Sequence, residues 1–132
     1  MKIKLNSIFV ENQTKALQFY TEVLGFKKGK DIPVGEFKWL TVTSPDGPAD
    51  IELVLEPNAN PAARQFQESI FKQGIPITAF EVDDINTEYE RLKDRVMFTM
   101  KPSPQGPVKI AIFADTCGNL IQLYQPAGAV SK

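Results

Sequence analysis

The 132-residue chain contains no histidine, so acid–base and metal chemistry would fall to its carboxylates, its lysines and its one thiol. Two carboxylates stand inside apolar, strand-like runs: Glu52 in Ile51-Glu-Leu-Val-Leu55 and Glu81 in Ala79-Phe-Glu-Val82. A carboxylate set in so apolar a run is expected to be desolvated, with its pKa pushed upward, which is what a general base needs. Glu81 has a second reading, as part of a solvated acidic cluster with Asp83 and Asp84, and this is the favoured one. Lys109 could pair with either glutamate or hold a substrate carboxylate. Cys117 lies in the turn Asp115-Thr-Cys-Gly118 with no histidine to activate it, and is read as a small turn residue. Trp39, the only tryptophan, either stacks on a flat ligand or serves as a core or dimer-interface aromatic. No nucleophile–base pair, phosphate-cradling glycine loop or metal motif is present.

The elements that must position these residues come in two copies. Ile3–Val10 and Ile75–Val82 are both short apolar-rich stretches that run into a polar turn and a helical pattern. Leu5 falls on Ile77, Trp39–Val42 on Lys109–Ile112, and Ile51–Leu53 on Ile121–Leu123, so each half reads strand, helix, then three strands. The first helix is predicted from about Gln13 to Leu24, with Leu17, Tyr20 and Leu24 on one face and Gly25 as its stop. Another is predicted from about Ile85 to Arg95 after Asp84 as N-cap. A linker helix, capped by Asn60 and led by Pro61, spans about 61–73 and joins repeat 1 (about 1–57) to repeat 2 (about 75–127). The Pro/Gly-bearing segments Lys30–Gly35 and Lys101–Pro107 are expected to be loops before the middle strands.

Three motifs then carry a family resemblance. Lys15-Ala-Leu-Gln-Phe-Tyr-Thr-Glu-Val-Leu-Gly-Phe26, Phe80-Glu-Val-Asp-Asp84 and Asp115-Thr-Cys-Gly-Asn-Leu-Ile-Gln-Leu-Tyr124 together resemble the glyoxalase/bleomycin-resistance/dioxygenase family, the vicinal oxygen chelate superfamily. The resemblance implies an α+β fold of two tandem βαβββ units forming a cupped mixed sheet, in a single domain over 1–132, commonly closed as a homodimer. It also implies metal ligands on the first and last strand of each half, which here are Leu5, Glu52, Ile77 and Gln122. Only Glu52 is a good donor, so no metal and no other cofactor is expected.

Strand alternation sorts the remaining side chains. Ile8, Val10, Leu40, Val42, Leu53, Phe80, Val82, Ile110, Ile112 and Leu123 are expected to pack beneath the helices. The opposite parity is expected to line the cup: Leu5, Ser7, Phe9, Phe37, Trp39, Thr41, Glu52, Val54, Ile77, Ala79, Glu81, Lys109, Ala111, Gln122 and Tyr124. A mostly apolar, aromatic wall with a few separated polar groups suits a small organic molecule.

Composition bounds the rest. With 42% hydrophobic and 23% charged residues the chain is ordinary for one globular domain. A net charge of −1, with acids and bases interspersed, points away from nucleic-acid and membrane partners, and the absence of a long apolar stretch points to the cytoplasm. The expected function is metal-free binding of a small organic ligand; the alternative is a divergent lyase, isomerase or dioxygenase using Glu52 as base or metal ligand.

Overall fold

The computed structural model describes residues 1–127. In chain order they form β1 (Leu5–Val10), α1 (Gln13–Gln18) continued by a π-helical turn (Phe19–Val23), β2 (Lys27–Val34), β3 (Phe37–Thr43), β4 (Glu52–Pro57), α2 (Pro61–Lys72), β5 (Thr78–Glu81), α3 (Ile85–Leu92), β6 (Met97–Gln105), β7 (Val108–Ala114) and β8 (Leu120–Pro126). This is βαβββ twice, an α+β arrangement with α2 between the copies. The chain divides into two compact units, Met1–Glu68 and Ser69–Lys132. Among the described residues no helix is long and apolar enough to cross a membrane.

In the first unit the strands lie in the order β1-β4-β3-β2. β1 runs parallel to β4, and β4, β3 and β2 are antiparallel neighbours. α1 starts where the Asn12 side chain accepts the Lys15 N–H at 2.9 Å, as a polar N-cap should. Its regular spacing then breaks: the Leu24 N–H reaches back to the Phe19 carbonyl at 3.1 Å, the five-residue span of a π turn. Gly25, at φ 90°, ends it. Ala16, Phe19 and Tyr20 are buried, whereas Leu17 and Leu24, placed on the inner face by a regular helical period, are only half-buried. Under α1 the sheet contributes Ile8, Val10, Leu40, Val42 and Leu55, all buried, and Tyr20 stacks on Phe26 with ring centroids 6.3 Å apart.

The second unit repeats the order as β5-β8-β7-β6, again with only the first pair parallel. Asp84 caps α3 by accepting the Asn86 and Thr87 N–H groups, both at 3.1 Å. Ile85 and Leu92 are buried, and Tyr89, Phe98 and Phe113 form an edge-to-face chain with centroid spacings of 4.8 and 5.6 Å.

The two segments expected to be loops belong to strands. Lys30–Val34 lies in β2 and Lys101–Gln105 in β6. Both are edge strands with a neighbour on one side only, so Pro33, Pro102 and Pro104 cost no ladder partner on the open side.

Candidate functional site

Strand register decides which side chains share a face. In the first sheet Leu5 stands directly opposite Glu52, Ser7 opposite Val54 and Phe9 opposite Glu56. Thr41 opposes Val54 and Thr43 opposes Glu52, while Trp39 opposes Ile32 and Phe37 opposes Val34. These residues lie on the face away from α1, so Leu5, Ser7, Phe9, Phe37, Trp39, Thr41 and Glu52 share one face, in the register expected of them.

Glu52 is bound into a small polar network. Thr41, fully buried, donates its hydroxyl to Glu52 Oε1 at 2.7 Å, and Lys30 Nζ donates to Oε2 at 2.7 Å. The Lys30 N–H in turn donates to Thr41 Oγ1 at 2.8 Å. Gly29 permits this closeness, because a Cβ there would stand 2.3 Å from Thr41 Oγ1. The pairing of β2 with β3 shifts between Lys28 and Asp31, and that irregularity carries Gly29 over Thr41. The Lys30 hydrogen bond and then the Thr41 hydrogen bond hold the Glu52 carboxyl below its ordinary pKa. The expected upward shift is therefore corrected: ionic pairing and hydrogen bonding outweigh desolvation at a site that is only partly buried.

A second polar contact shapes the aromatic end of β3. The N–H groups of Glu52 and Asn58 point to β1, bonding the Lys4 and Val10 carbonyls at 2.9 and 3.1 Å. Residues 53, 55 and 57 of β4 accordingly turn toward β3, where Pro57 has no N–H to give. Gln13 supplies the missing group. Its Nε2 donates to the Lys38 and Leu55 carbonyls, both at 2.8 Å, and its Oε1 accepts the Lys38 N–H at 3.1 Å. A side-chain amide from α1 thus replaces strand pairing beside Trp39. Ile32, Val34, Phe37 and Trp39 form an apolar strip at 50%, 59%, 39% and 37% exposure.

The second sheet differs from expectation in one strand. Ile110 opposes Tyr124 and Ile112 opposes Gln122, while Ala111 opposes Leu123 and Lys109 opposes Gln125. Gln125 accepts the first N–H of α3 from Ile85 at 2.8 Å, which marks its side of the sheet as the helix side. Lys109 and Ala111 therefore leave the expected cup-lining set, and Ile110 and Ile112 join Gln122 and Tyr124 on the helix-free face. A displacement by one residue inverts a whole strand. Gln122 stands opposite Ala79; Ile77, expected to be its counterpart, lies outside β5 and bonds through its N–H to the Leu120 carbonyl at 2.9 Å. Tyr124 donates its hydroxyl to Glu81 Oε1 at 3.3 Å. Burial first, and then the Glu81 charge, push the Tyr124 pKa up, so it is a phenol donor to a carboxylate at neutral pH. Cys117 is buried in a turn built on Asp115, whose Oδ1 accepts the Cys117 and Asn119 N–H groups at 2.7 and 3.0 Å.

The residues that the resemblance assigns to a metal do not fit one. Leu5 and Ile77 are hydrocarbon, Gln122 is a neutral amide, and both Glu52 oxygens are engaged by Thr41 and Lys30. Among the described residues no group of three or more His, Cys, Asp or Glu side chains is placed to hold a metal ion.

Two mixed βαβββ sheets with this strand order define the class, and sequence comparison agrees. Residues 2–123 match the family model of the glyoxalase/bleomycin resistance protein/dioxygenase superfamily, to which the chain belongs. It is 55% identical to the uncharacterized protein YurT of Bacillus subtilis (strain 168) over 126 residues, covering 95% of this chain and 99% of that protein. Among solved structures it is similar to UcmS2, at 32% identity with a TM-score of 0.80, covering 94% of this chain and 97% of that one. It is also similar to TnmS3, an antibiotic binding protein from Streptomyces sp. CB03234, at 29% identity with a TM-score of 0.76, covering 96% and 97% of the two chains.

Sequence reasoning singled out neither Gln13, Gly29 nor Lys30 as a site residue. The strand around Gly29 (Lys27–Val34) was itself not legible among the lysines, so the glycine could not be read as the bulge or close approach that an isolated strand glycine marks. Gln13 carried no signal, because its partners are backbone groups distant in sequence.

Proposed function

We propose that this protein is a metal-free binding module for a small organic molecule, seated on the helix-free face of the first sheet. The observation that carries the reading is the strip of Ile32, Val34, Phe37 and Trp39, exposed on the face where the Glu52 carboxylate is tied up by Thr41 and Lys30. Apolar and aromatic surface supplies most of the affinity in such sites, with a few fixed polar groups orienting the ligand. A carboxylate with both oxygens engaged and its basicity lowered is poorly suited to abstract a proton, which disfavours the enzyme alternative based on Glu52. The similarity to an antibiotic binding protein supports the same reading. A homodimeric state is part of this proposal, tested by light scattering.

The decisive experiment combines Trp39 and Glu52. An aromatic ligand should change tryptophan fluorescence, and Trp39→Ala should weaken its binding, measured by calorimetry, by about 1–3 kcal/mol through lost contact area. Glu52→Gln should alter affinity only modestly. Turnover of a small substrate that falls by roughly 10²-fold or more in Glu52→Gln, with binding intact, would overturn the reading in favour of an enzyme. Trp39→Ala changing the association state but not ligand affinity would show that a second copy covers the strip.

A further inference from the structure

We infer that the molecule taken up on this face is a planar apolar acid, whose anionic group is met by Lys30. The inference rests on the binding reading and narrows its ligand class.

Lys30, Ile32 and Val34 follow one another at strand spacing. Lys30 reaches Glu52 on the helix-free face, and Ile32 and Val34 oppose Trp39 and Phe37. One end of the apolar strip is therefore closed by an ion pair. The two partners are unequally presented: the Lys30 side chain is 53% exposed and that of Glu52 only 17%. Glu52 spends one oxygen on Lys30 and the other on Thr41. The ammonium has three N–H donors, of which Glu52 takes one. What this corner offers an incoming molecule is thus a positive charge with donors to spare.

The cation is also held in place. Its own backbone N–H is fixed by Thr41 at 2.8 Å, and the turn of chain beneath it depends on the missing side chain at Gly29. The nearby Lys28 and Lys38 ammonium groups lean instead on Asp31, at 3.2 and 3.9 Å, and Asp31 opposes Leu40 on the other side of the sheet. A carboxylate or phenolate on a flat apolar body would gain a charge-assisted hydrogen bond from Lys30 while its body covers Trp39 and Phe37. A cationic body of the same shape would be repelled by the same group.

Three probes of one shape test this: naphthoate, naphthamide and naphthylmethylamine, titrated calorimetrically at neutral pH while Trp39 fluorescence reports where they sit. Naphthoate should bind about tenfold more tightly than naphthamide, as a charge-assisted bond exceeds a neutral one. The preference should shrink with added salt, vanish in Lys30→Met and survive Lys30→Arg. Glu52→Gln should strengthen naphthoate binding, because it removes the competing carboxylate. Equal binding of acid and amide, tightest binding of the amine, or an acid preference that persists in Lys30→Met would each overturn the inference while leaving the binding face in place. No heat and no fluorescence change with any probe at millimolar concentration would remove the binding reading and the inference together.

Discussion

Replacing Gly29 by alanine should damage the Glu52 network through one atom, and the damage should disappear when Thr41 is also cut back. The new Cβ would lie 2.3 Å from Thr41 Oγ1, against 3.3 Å from the Thr41 carbonyl oxygen and 3.5 Å from Glu52 Oε1. Only the first contact is impossible. Relieving it requires a shift of about 1 Å, enough to break the Lys30 N–H···Oγ1 bond of 2.8 Å and to strain the Oγ1–Glu52 bond of 2.7 Å. One neutral hydrogen bond, part of a charged one and the overpacking together cost about 2–3 kcal/mol. Thr41→Ala loses the same two bonds and a buried methyl group, about 2–4 kcal/mol. In the double variant the clash has no partner, so Gly29→Ala should cost almost nothing further. The cycle should therefore show a coupling of about 2 kcal/mol. Urea unfolding followed by Trp39 fluorescence measures it: at a slope of about 2 kcal/mol per molar, Gly29→Ala should lower the midpoint by about 1 M in the parent and leave it nearly unchanged in Thr41→Ala. A neutral Gly29→Ala, or strictly additive losses, would refute the close-approach reasoning and with it the account of how Lys30 is positioned.

Other expectations follow from the same geometry. The Glu52 pKa is depressed in the fold, so its contribution to stability is present above its unfolded value of about 4.5 and is lost as pH falls through the folded value; urea titrations from neutral to acid pH should show a shallower acid loss in Lys30→Met than in the parent, and parallel curves would contradict the pairing. Gln13→Ala should destabilise the fold by about 1–3 kcal/mol by orphaning the Lys38 N–H and two carbonyls, with faster amide exchange at Lys38; unchanged exchange there would show that the strands close without the amide. Dialysed protein should carry no stoichiometric transition metal by elemental analysis, and one tightly held ion per chain would defeat the argument from the donor set.

Much of the architecture was legible in the chain because its determinants are local. Asn12, Asn60 and Asp84 cap helices through their own side chains, Gly25 ends one by adopting positive φ, and the doubled strand–helix–strand pattern announces two βαβββ units. The face carrying Leu5, Trp39, Thr41 and Glu52 was legible too, since alternation within an intact strand needs only a correct starting point. Pairing across strands was not. Lys109 and Ala111 were placed on the wrong face because copying the first repeat onto β7 misjudges its register by one residue, and only the ladder with β8 sets that register. Pro33, Pro102 and Pro104 suggested loops, yet proline is tolerated where a strand has a free edge, and edge position is a property of the assembled sheet. The state of Glu52 was likewise decided in three dimensions. Its apolar neighbours in sequence argue for a raised pKa, but Lys30 and Thr41, 22 and 11 residues away, reach it only because β2, β3 and β4 lie side by side and Gly29 lets them close.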